Sequence, residues 1–172
     1  MPQPISIISF PRSGRVWLMH VIGFMYGMKY WPNYDWESDQ GMVKARNVGK
    51  MHLTRKDIPI IRLEHLDDPY YKTPEELDVK GHRKYFMENK TLFLCRDPRD
   101  VIVSTYFHKK LQGMGSRDME SHIRCRRGGI ETICEYYNKV SKMPHCFVMP
   151  YEAIHDRVSL LIWTWCRIAW RS

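Results

Sequence analysis

Ile5-Ser6-Ile7-Ile8-Ser9-Phe10-Pro11-Arg12-Ser13-Gly14-Arg15-Val16-Trp17 is the stretch that decides how this chain is read. Its β-branched start, residues 5–10, has the pattern of a buried strand, and it stops at Pro11. Gly14 permits a tight turn and close approach of a ligand to the backbone. Successive N–H groups from Ser13 to Trp17 then open a helix whose dipole favours an anion. Arg12 and Arg15 add positive charge, and Val16, Trp17, Met19, His20, Ile22, Phe24 and Met25 recur at helical spacing. An ordinary strand-to-helix turn would account for the pattern but not for Pro, Ser, Gly and two Arg falling together. The segment lacks the G-x-x-x-x-G-K-[ST] spacing of an ATP-binding loop, which disfavours a standard nucleoside triphosphatase.

About eighty residues downstream, Leu94-Cys95-Arg96-Asp97-Pro98-Arg99-Asp100-Val101-Ile102-Val103-Ser104 repeats the logic. A strand over 91–95 gives way to a helix with Asp97 as N-cap, Pro98 at the first helical position and Asp100 completing an acidic capping box. Arg96 ends the strand and can fork onto a phosphate, and Ser104, about two turns along the helix, offers a further donor. The bland alternative is a surface ion pair and a helix-facing serine. Two such places in one small protein point to a ligand with phosphates at both ends.

Further strands are expected over 59–64 and 146–149, the latter closed by Pro150, and a helix from Gly128-Gly129 to about Lys142. Strands separated by helices imply parallel βαβ units, with ligands outside the carboxyl ends of the strands. The expected fold class is therefore α/β, three layers with a central parallel sheet flanked by helices.

At 172 residues the chain fits one compact domain, 1–172, long enough to bury a core. Twenty-seven Lys and Arg against nineteen Asp and Glu leave a net charge of +8, which favours an anionic ligand without choosing one. Nucleic acid fits the charge, but no recognition motif is present, so a nucleic-acid partner is not expected. The five cysteines, Cys95, Cys125, Cys134, Cys146 and Cys166, are scattered without a C-x-x-C pair and read as free thiols in a reducing, cytoplasmic compartment. No secretory pattern opens the chain, and the longest apolar run near the end, 160–166, is far short of the ~20 residues that span a bilayer.

The segments Pro11-Arg12-Ser13-Gly14-Arg15-Val16-Trp17 and Arg96-Asp97-Pro98-Arg99-Asp100-Val101-Ile102-Val103-Ser104 resemble the two nucleotide signatures of PAPS-dependent sulfotransferases. Tyr151-Glu152-Ala153-Ile154 resembles that family's Tyr-Glu-Asp-Leu element after a late strand. The resemblance implies a P-loop-NTPase-like sulfotransferase fold. It implies 3′-phosphoadenylyl sulfate (PAPS) as cosubstrate, adenosine 3′,5′-bisphosphate as product, and no required metal. It assigns Arg12, Ser13, Gly14, Arg15, Val16 and Trp17 to the 5′-phosphosulfate, Arg96 and Ser104 to the 3′-phosphate, and Trp17 and Tyr151 to the neighbourhood of the adenine. Read from the residues alone, Trp17 and Tyr151 are equally well core.

Three departures from the family pattern stand out. Arg12 occupies a position where the family often has Lys, replacing a point-like donor with a broad fork. The family's C-terminal Arg-Lys-Gly element, which closes over the 3′-phosphate, has no counterpart by position, so a chain lacking that closing segment is expected. Leu63 stands where the family carries a Lys two residues before its catalytic His.

Sulfuryl transfer needs an in-line acceptor, a base to take its proton and positive groups to stabilise the departing phosphate. His65, just beyond the expected strand 59–64, is the candidate base, with Glu64 as backup and His52 a weaker rival. Arg12 would assist the leaving group. Asp67 and Asp68 read as turn formers, and Lys109, Lys110, Arg124, Arg126 and Arg127 as a solvated face with an option to steer an acidic acceptor. Walls for the acceptor are expected from 30–56, with Trp31, Tyr34 and Trp36, and from 112–127. Two other classes remain open on the residues: a nucleotide- or partner-binding module without turnover, and a nucleotide phosphotransferase. The latter is disfavoured by the missing Walker lysine and by the lack of a clear Mg²⁺ carboxylate.

Overall fold

The computed structural model describes residues 5–25, 61–88, 90–114, 118–157, 159–162 and 164. The expectations for His52, Trp31, Tyr34, Trp36, Cys166 and the end of the chain lie outside them. Strand β1 (Ile5–Ser9) leads into helix α1 (Arg15–Met25), and β2 is Ile61–Glu64. Single 3-10 turns at Pro69–Tyr71 and Lys80–His82 precede a short α2 (Arg83–Glu88) and β3 (Lys90–Cys95). Then come α3 (Pro98–Leu111), α4 (Met119–Ile123), α5 (Ile130–Ser141), β4 (Cys146–Pro150) and α6 (Tyr151–Asp156).

The four strands form one sheet in the order β2-β1-β3-β4. Every pair is parallel, with Ile8 opposite both Glu64 and Phe93, and Leu94 opposite Met149. Side chains alternate across a strand, so each strand supplies both faces of the sheet. Ile5, Ile7, Leu92 and Leu94 face one way and pack with Leu18, Met19 and Ile22 of α1 and with Ile154 and Leu161. Ile8 and Phe93 face the other way, onto Val101 and Ile102 of α3 and Ile133, Tyr136 and Val140 of α5. Coverage on both faces explains why the strands read as continuous apolar runs rather than alternating ones.

Helix α1 lies where its spacing puts it, but its buried stripe is Leu18, Met19 and Ile22, whereas Val16 and His20 are exposed. At the start of α3, Asp97 caps as expected by accepting from Arg99 N–H at 2.9 Å. The capping box does not form. The Asp100 carboxylate instead takes Arg96 Nη2 at 3.3 Å, and the Asp97 N–H is met by Glu152 Oε1 of α6 at 2.8 Å. A shorter Asp side chain in place of Glu cannot reach back as the box requires, so a distant carboxylate satisfies the orphan donor.

Asp67 and Asp68 are turn residues: with Leu66 they form a run of positive φ, and the Asp67 carboxylate accepts from Lys72 and from the Asp78 N–H. The basic cluster is spent locally, on Arg124–Glu120, Arg126–Glu75 and Arg127–Glu76 ion pairs. Lys109 lies over the Tyr70 ring, 4.1 Å from its centroid. Cys95, Cys125, Cys134 and Cys146 are free thiols. Among the described residues no helix is long and apolar enough to cross a membrane.

Candidate active site

From β1 the chain moves through α1 to β2 on one side, and from β3 through α3 to β4 on the other, so the winding reverses between β1 and β3. Such a switch point leaves a crevice at the carboxyl ends of the two strands. Both turns singled out in the sequence emerge there.

The first turn is shaped by two residues with positive φ, Arg12 at 70° and Gly14 at 88°. Gly14 has a second constraint: a Cβ there would run into the Tyr151 ring. Tyr151 in turn meets Trp17 edge-on, with centroids 5.4 Å apart, and His155 of α6 lies 5.6 Å from the Trp17 ring. Aromatic side chains from α1 and α6 thus form one partly exposed wall beside the turn.

The first turn is joined directly to helix α3, which the second turn feeds. Arg12 Nε donates to Ser104 Oγ at 3.2 Å across 92 residues of sequence. Beneath them the Tyr137 hydroxyl of α5 accepts from the Arg96 N–H at 3.1 Å and lies 3.2 Å from the buried Ser13 Oγ. Burial pushes the Tyr137 phenol up to about 12, so it serves as a neutral hydrogen-bonding post at any ordinary pH. The Arg96 guanidinium sits over the Tyr151 ring at 5.1 Å, and its Nε is buried with no partner among the described residues. Ser9 Oγ, at the end of β1, is likewise buried and without a partner among them. Buried polar atoms are almost always satisfied, so two orphans at one crevice mark a place where a polar ligand fits.

His65 follows β2 and turns back to the same crevice. Its Nδ1–H donates to the Ser9 carbonyl at 2.7 Å, and its Nε2 lies 2.8 Å from Arg15 Nη2. A carbonyl can only accept, so the ring is the neutral tautomer with its lone pair on Nε2, directed at Arg15. The ring keeps some accessible surface. Burial of its nitrogens, then the Arg15 charge, lowers its pKa from 6.5 to about 3, against a smaller upward pull from Ser9. Tyr136, fully buried in α5, donates to the His65 carbonyl at 2.6 Å and fixes the backbone at that point. Glu64, the backup base, is the last residue of β2, and no hydrogen bond among the described residues joins its carboxylate to either turn.

Three contributors escape the sequence reading. Tyr136 and Tyr137 sit on a helix face that reads as core, and nothing local marks their hydroxyls as ties. His108, one helical turn past Ser104, is half-buried with a pKa lowered by desolvation and then by Arg12. Its i+4 spacing from Ser104 is the only signal that places it on this side of α3.

A parallel sheet with a glycine-bearing helix-entry turn and a second arginine-bearing turn at its switch point defines an α/β protein of the P-loop-like class. Within that class the chain belongs to the sulfotransferase family: the model of the sulfotransferase domain matches residues 2–158. Rat sulfotransferase 2B1 is 26% identical over 109 residues, which are 62% of this chain and 29% of that protein. Among solved structures, mouse sulfotransferase SULT7A1 complexed with PAP superposes with a TM-score of 0.56 at 13% identity, over 96% of this chain and 57% of the other. The sulfotransferase domain from the curacin biosynthetic pathway gives 0.57 at 15% identity, over 98% and 74%. Retinol dehydratase in a complex with retinol and PAP gives 0.55 at 18% identity, over 96% and 58%. The chain thus spans under a third of the curated relative and little more than half of two of these structures.

Proposed function

We propose that this protein is a PAPS-dependent sulfotransferase of the 2.8.2 type that moves a sulfuryl group to a hydroxyl or amine and releases adenosine 3′,5′-bisphosphate. The observation that carries this reading is the pairing of two cationic turns at one switch point, tied by Tyr137, with the Arg96 Nε left unsatisfied. One phosphate site would suit many nucleotides; two, with an aromatic wall between them, suit a nucleotide phosphorylated at both ends.

In this reading the N–H groups from Ser13 to Trp17, with Arg12 and Arg15, hold the 5′ anion at the helix start. Arg96 and Ser104 hold the 3′-phosphate, and Trp17 and Tyr151 flank the base. Bound PAPS supplies the sulfuryl group and the leaving phosphate. His65 Nε2 takes the acceptor proton while the acceptor oxygen or nitrogen bonds to sulfur. The bond from sulfur to the bridging oxygen breaks, and its electron pair stays on the 5′-phosphate, where Arg12 stabilises the charge. Among the carboxylate and imidazole candidates, His65 is supported because its ring lies at the crevice with Nδ1–H held by the Ser9 carbonyl, which leaves the lone pair on Nε2. The free thiols fit a reducing, cytoplasmic location.

The test is transfer of labelled sulfate from PAPS to a panel of phenols, alcohols and amines. Release of adenosine 3′,5′-bisphosphate in step with a sulfated acceptor supports the proposal. Binding of nucleotide with no transfer to any acceptor supports a nucleotide-holding module, and phosphoryl transfer from ATP would replace both readings.

A further inference from the structure

Arg15 opens helix α1, directly after the turn assigned above to the donor's 5′ anion, yet its guanidinium reaches across the crevice to His65 Nε2. A guanidinium has donors only, so the contact consumes the one lone pair with which His65 could accept a proton. The other ring nitrogen is committed to the Ser9 carbonyl. The pKa of His65, lowered first by burial and then by the Arg15 charge, is far from the value near ambient pH at which a general base works best. Among the described residues, two other groups lie near His65. The Tyr136 hydroxyl donates to the His65 carbonyl, and the Asp67 carboxylate is engaged by Lys72 and the Asp78 N–H. The free protein therefore holds its base in a form that cannot act.

We propose that Arg15 is a latch on the base: an anion bound at the Gly14 turn draws its guanidinium away from His65 Nε2, so that deprotonation of the acceptor waits on binding of the donor. An oxyanion offers a guanidinium a charge-assisted forked contact, whereas the imidazole offers one neutral acceptor, so the contact to the oxyanion is the stronger of the two. Donor would bind before acceptor, and the product bisphosphate, which keeps its 5′-phosphate, would hold the latch open until it leaves. Arg15 acts on the proton transfer through His65 and is in that respect a positioning residue. The inference rests on the donor-binding reading above.

The test is the pH titration of the His65 ring by NMR, with the signal assigned by its loss in His65→Asn. Samples are the free protein and the protein saturated with adenosine 3′,5′-bisphosphate, with saturation checked by calorimetry, as wild type, Arg15→Gln and Arg15→Lys. The nucleotide should raise the wild-type His65 pKa by about one to three units, the size of effect that a single adjacent charge has on a titrating group. Arg15→Gln should start higher in the free protein and gain less from the nucleotide. Arg15→Lys, which keeps the charge but not the fork, should fall between. Equal free-protein values in wild type and Arg15→Gln, or equal nucleotide shifts in both, would overturn the latch. Calorimetric binding with no movement of His65 would overturn the latch and leave the donor reading standing; absence of binding would overturn both.

Discussion

Gly14 carries two demands at once, a left-handed φ of 88° and room for the Tyr151 ring against its Cα. Each alone disfavours a side chain, and together they make Gly14→Ala costly. We expect it to lower stability by about 1–3 kcal/mol, the usual range for overpacking and a strained φ, read as a lower urea midpoint at unchanged slope. Arg96 and His65 separate binding from chemistry. Arg96→Ala removes a charged donor from a partly buried site and should weaken adenosine 3′,5′-bisphosphate binding by about 10- to 100-fold, the equivalent of a lost charged hydrogen bond. His65→Ala should bind the nucleotide nearly as wild type and lose transfer. Equal loss of binding in both variants would show that His65 is not where the account places it.

Helix α5 does the work of holding the crevice together. The Tyr137 hydroxyl spans Ser13 and the Arg96 N–H, and neighbouring Tyr136 holds the His65 carbonyl, so one helix references all three site segments. Tyr137→Phe keeps the buried ring and deletes only the tie, leaving the Arg96 N–H and Ser13 Oγ without that partner. A destabilisation of about 1–3 kcal/mol is expected, with a drop in nucleotide affinity that measures how far the turns drift apart. If affinity stays unchanged while stability falls, the tie serves the fold and not the site. None of this is written in local sequence. An aromatic on the inner face of an amphipathic helix reads as core, and its hydroxyl acquires partners only when turns some 41 and 124 residues away cross beneath it. The same distance effect defeats the capping box at Asp97, where Glu152 takes the donor that Asp100 is too short to reach. By contrast β1, β3 and β4 and the start of α3 at Pro98 are legible, because short apolar runs bounded by turn-forming or polar residues and an Asp-Pro helix start are local chemistry.

At the scale of the molecule, strand order sets the address of the site. The parallel strands and their helices could be expected from alternating patterns, but the order β2-β1-β3-β4, which brings the two turns side by side, comes from tertiary pairing alone. Burying imidazoles in this frame has a consequence for acid stability. The folded pKa of His65 lies at about 3 against 6.5 unfolded, and His122 and His108 are also lowered, chiefly by desolvation. Between those values the unfolded chain binds more protons than the native one, so stability is full above about pH 6.5 and is lost as pH falls toward 3. Asp97, held at about 2 mainly by Arg99, acts in the same direction at lower pH. Urea midpoints should be level above about pH 6.5 and fall from there to pH 4.5, and His65→Asn should flatten that fall; a slope identical to wild type would remove His65 from the list of buried neutral groups.

The central claim, that the paired turns hold one nucleotide by phosphates at both ends, is tested most directly by calorimetric titration with adenosine 3′,5′-bisphosphate beside 5′-AMP and ATP. Selective binding of the bisphosphate is expected, with affinity lost in Arg96→Ala. Equal binding of all three nucleotides, or binding of the bisphosphate that Arg96→Ala leaves untouched, would contradict it.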